Sequence, residues 1–208
     1  MRIGVLIPSR ERPESLAKAI ESVRATSMHA DVLVYIDDDD ESYRDLEQAE
    51  TKRMDGRVIF HHGSRVGPAA SCNALVEANP GYGVYGHIAD DCEITTNGWD
   101  QWLFANLDLV ISPRVSLGPH VDLPFVTREW IDKLGWFAYP GNYHTGWPTV
   151  TGALAAALGR LTYAPGDKFF IQHTMLTSLN QEHLREDAKQ LYIFFQQRFE
   201  IALKVLKR

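Results

Sequence analysis

Short apolar runs alternate with helical segments through the first half of the chain, and this alternation constrains the fold more than any other feature. Residues 3–7 (Ile-Gly-Val-Leu-Ile) and 32–36 (Val-Leu-Val-Tyr-Ile) are too short for helices and lack the polar alternation of a strand with one wet face. They read as strands buried on both sides. Between them Pro13 stands in the first turn of a helix reaching about residue 25, where its missing N–H costs little. Leu16, Ala19, Ile20 and Val23 share the face of that helix expected to enter the core. The rhythm continues with a polar helix at 41–54, a strand at 57–61, a helix at 68–78, a strand at 82–89 and a helix at 98–107. Parallel neighbours need a crossover and antiparallel ones do not, so this order predicts an α/β fold with a mainly parallel central sheet and helices on both faces.

After residue 109 the rhythm changes. A strand is expected at 110–117, and a short helix at 127–135 stops at Gly135. Residues 136–149 carry Trp136, Phe137, Tyr139, Tyr143, Trp147 and two prolines, and read as an aromatic loop. A small-residue helix at 149–158 and strands at 161–164 and 168–172 precede a long helix at 179–206. Leu184, Ala188, Leu191, Phe195, Phe199, Ala202 and Leu206 form one stripe of that helix, with Ile193 and Phe194 off it. A second buried face is therefore expected, either within the chain or against a second copy in a homodimer.

With 208 residues the chain suits one domain. No stretch approaches 18 apolar residues, so no membrane span is expected, and the N-terminal run is too short for a signal peptide. Cys72 and Cys92 make neither a disulfide framework nor a metal spacing, which suits a reducing cytoplasm. The net charge of −6 argues against a nonspecific nucleic-acid coat.

In open α/β sheets ligands bind outside the carboxyl ends of the strands. The segments that follow the four early strands are Pro8-Ser9-Arg10-Glu11-Arg12-Pro13, Asp37-Asp38-Asp39-Asp40-Glu41, His61-His62-Gly63-Ser64-Arg65-Val66-Gly67 and Asp90-Asp91-Cys92-Glu93. Carboxylates suit a hard cation such as Mg²⁺ or Mn²⁺. A cation with arginines and a glycine-led helix start suits a diphosphate. The acidic run at 37–40 reads equally as a solvated loop. It lacks the glycine and glutamate of a calcium EF-loop, and no P-loop or GxGxxG is present.

The ordered set Ile-Pro-Ser-Arg-x-Arg-Pro, Tyr-Ile-Asp-Asp, Arg-x-Gly-x-x-x-x-x-Asn and Ile-Ala-Asp-Asp-Cys resembles the nucleotide-sugar glycosyltransferases of the GT-A fold, in the large family-2-like group. The resemblance spans about residues 2–175. It implies a GT-A domain over 1–176, with a nucleotide-binding half (1–108) and an acceptor half (109–176), and a C-terminal helix at 177–208 packed on the domain or in a dimer interface. It assigns Pro8, Ser9, Arg10 and Asp37 or Asp38 to the nucleoside, Gly67 and Asn73 to the diphosphate side, and Arg12 or Arg65 to the phosphate charge. Asp90 falls to the ribose, Asp91 and His173 to Mn²⁺ or Mg²⁺. The first acid of a strict DxD motif is replaced by Ala89. No carboxylate lies in 144–149, where the family's general base is sought. Asp122 and His144 are the leading candidates for that base, ahead of His120, Glu129 and Asp132.

The expected activity is metal-dependent transfer of a sugar from a nucleotide diphosphate sugar, UDP by default, to an acceptor hydroxyl. The acceptor is a small molecule, a glycan, a protein or, as in some phage enzymes of this type, a modified DNA base. The alternatives are a nucleotidyltransferase, which would carry a glycine-rich loop with a lysine where Arg10-Glu11-Arg12 stands, and a non-catalytic sugar-nucleotide or glycan-binding module.

Overall fold

A computed structural model describes residues 1–53, 55–116, 122–141, 146–174 and 181–207, with 181–184 by backbone alone. In chain order the elements are β1 (Ile3–Ser9), α1 (Pro13–Thr26), β2 (Ala30–Asp37), α2 (Arg44–Arg53) entered through a 3₁₀ turn (Glu41–Tyr43), β3 (Val58–Gly63), α3 (Pro68–Ala78), β4 (Val84–His87), β5 (Cys92–Ile94), α4 (Trp99–Ala105), β6 (Val110–Ser112), β7 (Arg114–Val115), β8 (Phe125–Thr127), α5 (Arg128–Leu134), α6 (Trp147–Ala157), β9 (Leu161–Tyr163), β10 (Phe170–His173), α7 (Gln181–Ile193), a π-helical stretch (Phe194–Arg198) and α8 (Phe199–Lys207).

The main sheet has seven strands in the order β3-β2-β1-β4-β8-β6-β9. β3, β2, β1 and β4 run parallel, so their carboxyl ends share one edge. β8 is antiparallel to both β4 and β6. This strand was not expected from the sequence, because three residues beside a helix start give no alternation to read. Gly86 lies opposite Phe125 in that pairing, and a Cβ there would stand 2.1 Å from the Phe125 ring. A second sheet, β5-β10-β7, begins directly after Asp91. The expected strands at 168–172 and 110–117 overlap its β10 and β7, whereas the three-residue β5 was not expected.

Side chains of a strand alternate between faces, and the core divides accordingly. Val5 and Ile7 of β1 and Val32, Val34 and Ile36 of β2 pack with Leu16, Ala19, Ile20 and Val23 of α1. Leu6, Leu33 and Tyr35 point the other way, toward α3, α5, α6 and the aromatic segment. The expected aromatic loop is only partly a loop. Gly146, at φ +84°, caps α6, which begins at Trp147 rather than at 149. Phe137, Tyr139, Trp147 and Trp130 are buried and Trp136 is half-buried, while Tyr143 lies outside the described residues.

The C-terminal helix corrects the expected stripe. Among its described side chains Asp187, Phe194, Leu203 and Leu206 are buried, while Ala188 and Phe195 face solvent; Leu184 of the expected stripe lies outside the described side chains. The wider π turn lets the inward positions step by five, from Phe194 to Phe199, and so moves the face by one residue. α8 packs on α5 and α6, and Lys133 Nζ donates to the Leu206 carbonyl at 2.9 Å. Tyr192, Phe195 and Ile201 remain exposed. No helix among the described residues is long and apolar enough to cross a membrane.

Candidate functional site

The four acids that follow β2 have four different environments. Asp37, the last residue of β2, is buried and accepts from Arg10 Nη1 at 2.8 Å. Asp39 takes the same guanidinium at 2.6 and 3.1 Å, and this hydrogen bond lowers its pKa. Asp40 caps the 3₁₀ turn, accepting from Ser42 N at 3.0 Å, and it also accepts from Glu11 N at 2.7 Å. Asp38 is exposed, its backbone N–H donating to the Gly63 carbonyl. The loop after β1 is thus clamped onto the loop after β2. Glu11 sits there at φ +58°, a left-handed conformation disfavoured for a residue with a side chain.

Asp90 and Asp91 are the third and fourth residues after β4, and both are buried. A relay ties Asp90 to the first loop. Ser9 Oγ donates to Asp90 Oδ2 at 2.7 Å and stands 2.6 Å from the Tyr43 hydroxyl. A serine has one hydroxyl proton. With that proton on Asp90, the Tyr43 hydroxyl donates to Ser9 and accepts from Arg12 N at 3.0 Å. Arg12 Nη1 reaches Asp90 Oδ1 at 3.3 Å and Asp91 Oδ2 at 3.5 Å. Burial, more than the neighbouring Asp91 charge, pushes the Asp90 carboxyl up despite Ser9 and Arg12. Tyr43 was missed by sequence reasoning, because it lies in a segment that reads as a polar surface helix.

Asp91 faces the second sheet. His173 Nε2 is 3.5 Å from Asp91 Oδ1, too long for a good hydrogen bond, and its buried Nδ1 has no partner among the described residues. Cys92 Sγ is 3.9 Å from the same carboxylate oxygen. The carboxylate, thiol and imidazole donor atoms all lie within 4.8 Å of one another. An oxygen, a nitrogen and a sulfur at this spacing, with an imidazole left unsatisfied, fit a divalent cation. Burial pushes the Cys92 thiol up to about 12, with the charges of Asp91, Asp90 and Asp122 adding to it. Asp122, half-buried, is therefore within electrostatic reach of this cluster.

The other expected residues spread along the same edge or leave it. Pro8 is half-buried in β1, opposite Tyr35 of β2. Arg65 is exposed, and its charge helps lower the Asp39 pKa. Gly67 caps α3 at φ +82°. The preceding Gly63 cannot be enlarged, since a Cβ would stand 2.2 Å from the Tyr35 hydroxyl. Asn73 commits its carboxamide elsewhere. Its Oδ1 accepts from Phe137 N and Ala138 N at 2.8 and 2.9 Å, and its Nδ2 donates to the Ala138 carbonyl at 2.8 Å. It anchors the aromatic segment to α3. Glu129 is tied to Arg160 at 2.9 Å and Asp132 to Arg128 at 2.6 Å. His120 and His144 lie outside the described residues.

No protein-family model and no curated protein matches the sequence. Solved structures do match the fold. The chain resembles a mannosyltransferase, PcManGT from Pyrobaculum calidifontis in complex with GDP-Man and Mn²⁺, with a TM-score of 0.70 at 12% identity, covering 99% of this chain and 73% of that one. It resembles S. aureus TarS 1-349 in complex with UDP-GlcNAc, with a TM-score of 0.63 at 12% identity, over 99% and 70% of the two chains. It also resembles GalNAc-T7 with UDP, GalNAc and Mn²⁺, with a TM-score of 0.71 at 12% identity, over 96% of this chain and half, 50%, of that one. The overall fold is thus shared with proteins of very different sequence, and the chain has the GT-A fold of the nucleotide-sugar glycosyltransferases.

Proposed function

We propose that the protein is a metal-dependent glycosyltransferase that moves a sugar from a nucleotide diphosphate sugar to an acceptor hydroxyl. The observation that carries this reading is the buried Asp90–Asp91 pair, set between the clamp on the donor edge and the imidazole of His173. Buried carboxylates are costly unless paired, and here the pairing is partial. Asp91 and His173 would hold Mn²⁺ or Mg²⁺. When bound, that ion supplies positive charge against the diphosphate as it departs.

The chain's own groups divide the remaining work. Arg10, held by Asp37 and Asp39, orients the nucleoside loop, and Asp37 at the strand end accepts from the base. Asp90, fixed by Ser9, receives the ribose hydroxyls. The N-terminal end of α3 at Gly67, with exposed Arg65, faces the phosphates. Arg12 pairs with both acids and can transfer its charge to the diphosphate when a cation takes over the carboxylates. Asp122 is the described candidate for the group that accepts the acceptor's proton. The similar structures that hold GDP-Man with Mn²⁺, UDP-GlcNAc, and UDP with GalNAc and Mn²⁺ support a UDP or GDP sugar as donor.

A screen of UDP and GDP sugars for Mn²⁺-dependent hydrolysis tests the reading. At least one donor should be turned over by the protein and by none of its Asp91→Ala form. Binding of nucleotide without any turnover, in the presence of Mn²⁺ and a panel of acceptors, would instead favour a sugar-nucleotide-binding module.

A further inference from the structure

The cation assigned above to Asp91 and His173 has a third protein donor beside it. We propose that Cys92 is a third ligand at this site, so that beside Mn²⁺ it also accepts a borderline transition metal such as Zn²⁺ or Co²⁺ through one oxygen, one nitrogen and one sulfur. This rests on the reading of Asp91 and His173 as a metal site.

Three observations place the thiol. β5 and β10 are antiparallel, and Cys92 is paired directly with His173, so both side chains stand on one face of the small sheet. Asp91 is fixed next to them, since its carbonyl accepts from Thr174 N at 2.9 Å and from Thr174 Oγ1 at 2.8 Å. The donor atoms are already close: Asp91 Oδ1 lies 3.5 Å from His173 Nε2 and 3.9 Å from Cys92 Sγ, and all three fall within 4.8 Å. A tetrahedral ion with bonds of about 2.0–2.3 Å spaces its ligand atoms by roughly 3.3–3.8 Å. Only a modest contraction, chiefly between sulfur and imidazole, closes the set.

An oxygen and a nitrogen alone would suit Mn²⁺, whereas a thiolate favours softer ions. Cys92 therefore acts on metal choice. On binding, a metal–sulfur bond forms and the thiol proton leaves to solvent; no electrons are transferred.

The test is a Co²⁺ titration of the whole chain without nucleotide, read by absorption. Visible d–d bands report bound cobalt, and a near-ultraviolet thiolate-to-cobalt charge-transfer band reports sulfur in the shell. The charge-transfer band is expected in the unmodified protein and in Cys72→Ala, whose thiol lies in the other half of the core, and absent in Cys92→Ser. Zn²⁺ affinity, by competition with a chromogenic chelator, should fall roughly tenfold or more in Cys92→Ser, and Mn²⁺ affinity less than about threefold. Bound cobalt without the charge-transfer band in the unmodified protein overturns the proposal, even if the Cys92 variants fail to fold. In that event Mn²⁺-dependent UDP or GDP binding still decides the donor reading separately. No cobalt binding at all overturns the proposal as well, and loss of Mn²⁺-dependent nucleotide binding together with it would remove the metal assignment as a whole.

Discussion

Acidic residues gather at the carboxyl ends of two strands of the same sheet, and the two groups behave in opposite ways. Asp37–Asp40 lie mostly at the surface, and each but Asp38 has a strong donor, from Arg10 or from a backbone N–H. Asp90 and Asp91 are buried and share one guanidinium, that of Arg12, at 3.3 and 3.5 Å. The first group is satisfied by the protein. The second keeps capacity for something positive that the protein does not supply. A third acid makes the contrast sharper. Asp100 is fully buried, yet it accepts from Met28 N and His29 N at 2.9 Å and from the His29 ring at 3.0 Å. Burial raises its pKa, but those hydrogen bonds together outweigh burial and the pKa is lowered. In Asp90 burial prevails and the pKa is raised. Two buried carboxylates with opposite shifts, one held by backbone N–H donors and one not, separate a structural carboxylate from one poised for a ligand.

The largest expected effect tests whether the buried pair differs in kind from the exposed run. Asp91→Ala should lower Mn²⁺-dependent affinity for UDP or GDP by about a hundredfold, since a hard cation loses a charged ligand. Calorimetry with and without Mn²⁺ measures it. A similar loss in Asp38→Ala would break the comparison.

Asp100→Ala should leave nucleotide affinity unchanged and lower folding stability by about 2 kcal/mol, because buried N–H groups lose their acceptor. The folded-state pKa is lowered, so this contribution is complete above the unfolded value of about 3.9 and disappears as pH falls through the folded value. The gap between denaturant melts of the two proteins should therefore begin to narrow only below about pH 4 and keep narrowing as pH falls through the folded value. A gap that persists in acid would remove the linkage.

Asp90→Asn should show the reverse pattern. Nucleotide affinity should fall by about tenfold, while stability at neutral pH holds or rises by up to about 1 kcal/mol. Its raised folded pKa makes the native protein lose stability as pH rises from the unfolded value through the folded one, and the amide removes that slope. A clear destabilisation at neutral pH would place Asp90 with Asp100.

The smallest effect divides the exposed run itself. Asp37→Asn, which loosens Arg10, should weaken UDP or GDP binding by about fivefold, and Asp38→Asn should change it by less than about twofold. Equal, negligible losses measured by the same calorimetry would return the whole run to a solvated loop.

Much of this was legible before any coordinates. β1 and β2 announce themselves because a strand buried on both faces must be uniformly apolar, and β3 and β4 follow from the alternation with helices. The residues after those strands are the site edge for topological reasons. What could not be read is instructive residue by residue. Phe125 and Cys92 belong to strands too short to show a period. Tyr43 completes the Ser9–Asp90 relay from a segment whose composition suits a surface helix. Phe194 replaces Phe195 in the core because a π turn shifts the face, and periodicity assumes a constant pitch.

The sequence by itself determined the parallel sheet, the α1 core face and the order in which loops meet the site edge, since these follow from local apolar pattern and chain connectivity. Only the tertiary structure decided which acid does what. The environments of Asp37, Asp90, Asp91 and Asp100 depend on burial and on groups brought from Arg10, Ser9, Arg12 and Met28, up to 81 positions along the chain in the case of Ser9 and Asp90. A carboxylate's chemistry is set by the dielectric and the hydrogen bonds around it, and those exist only once distant segments have packed.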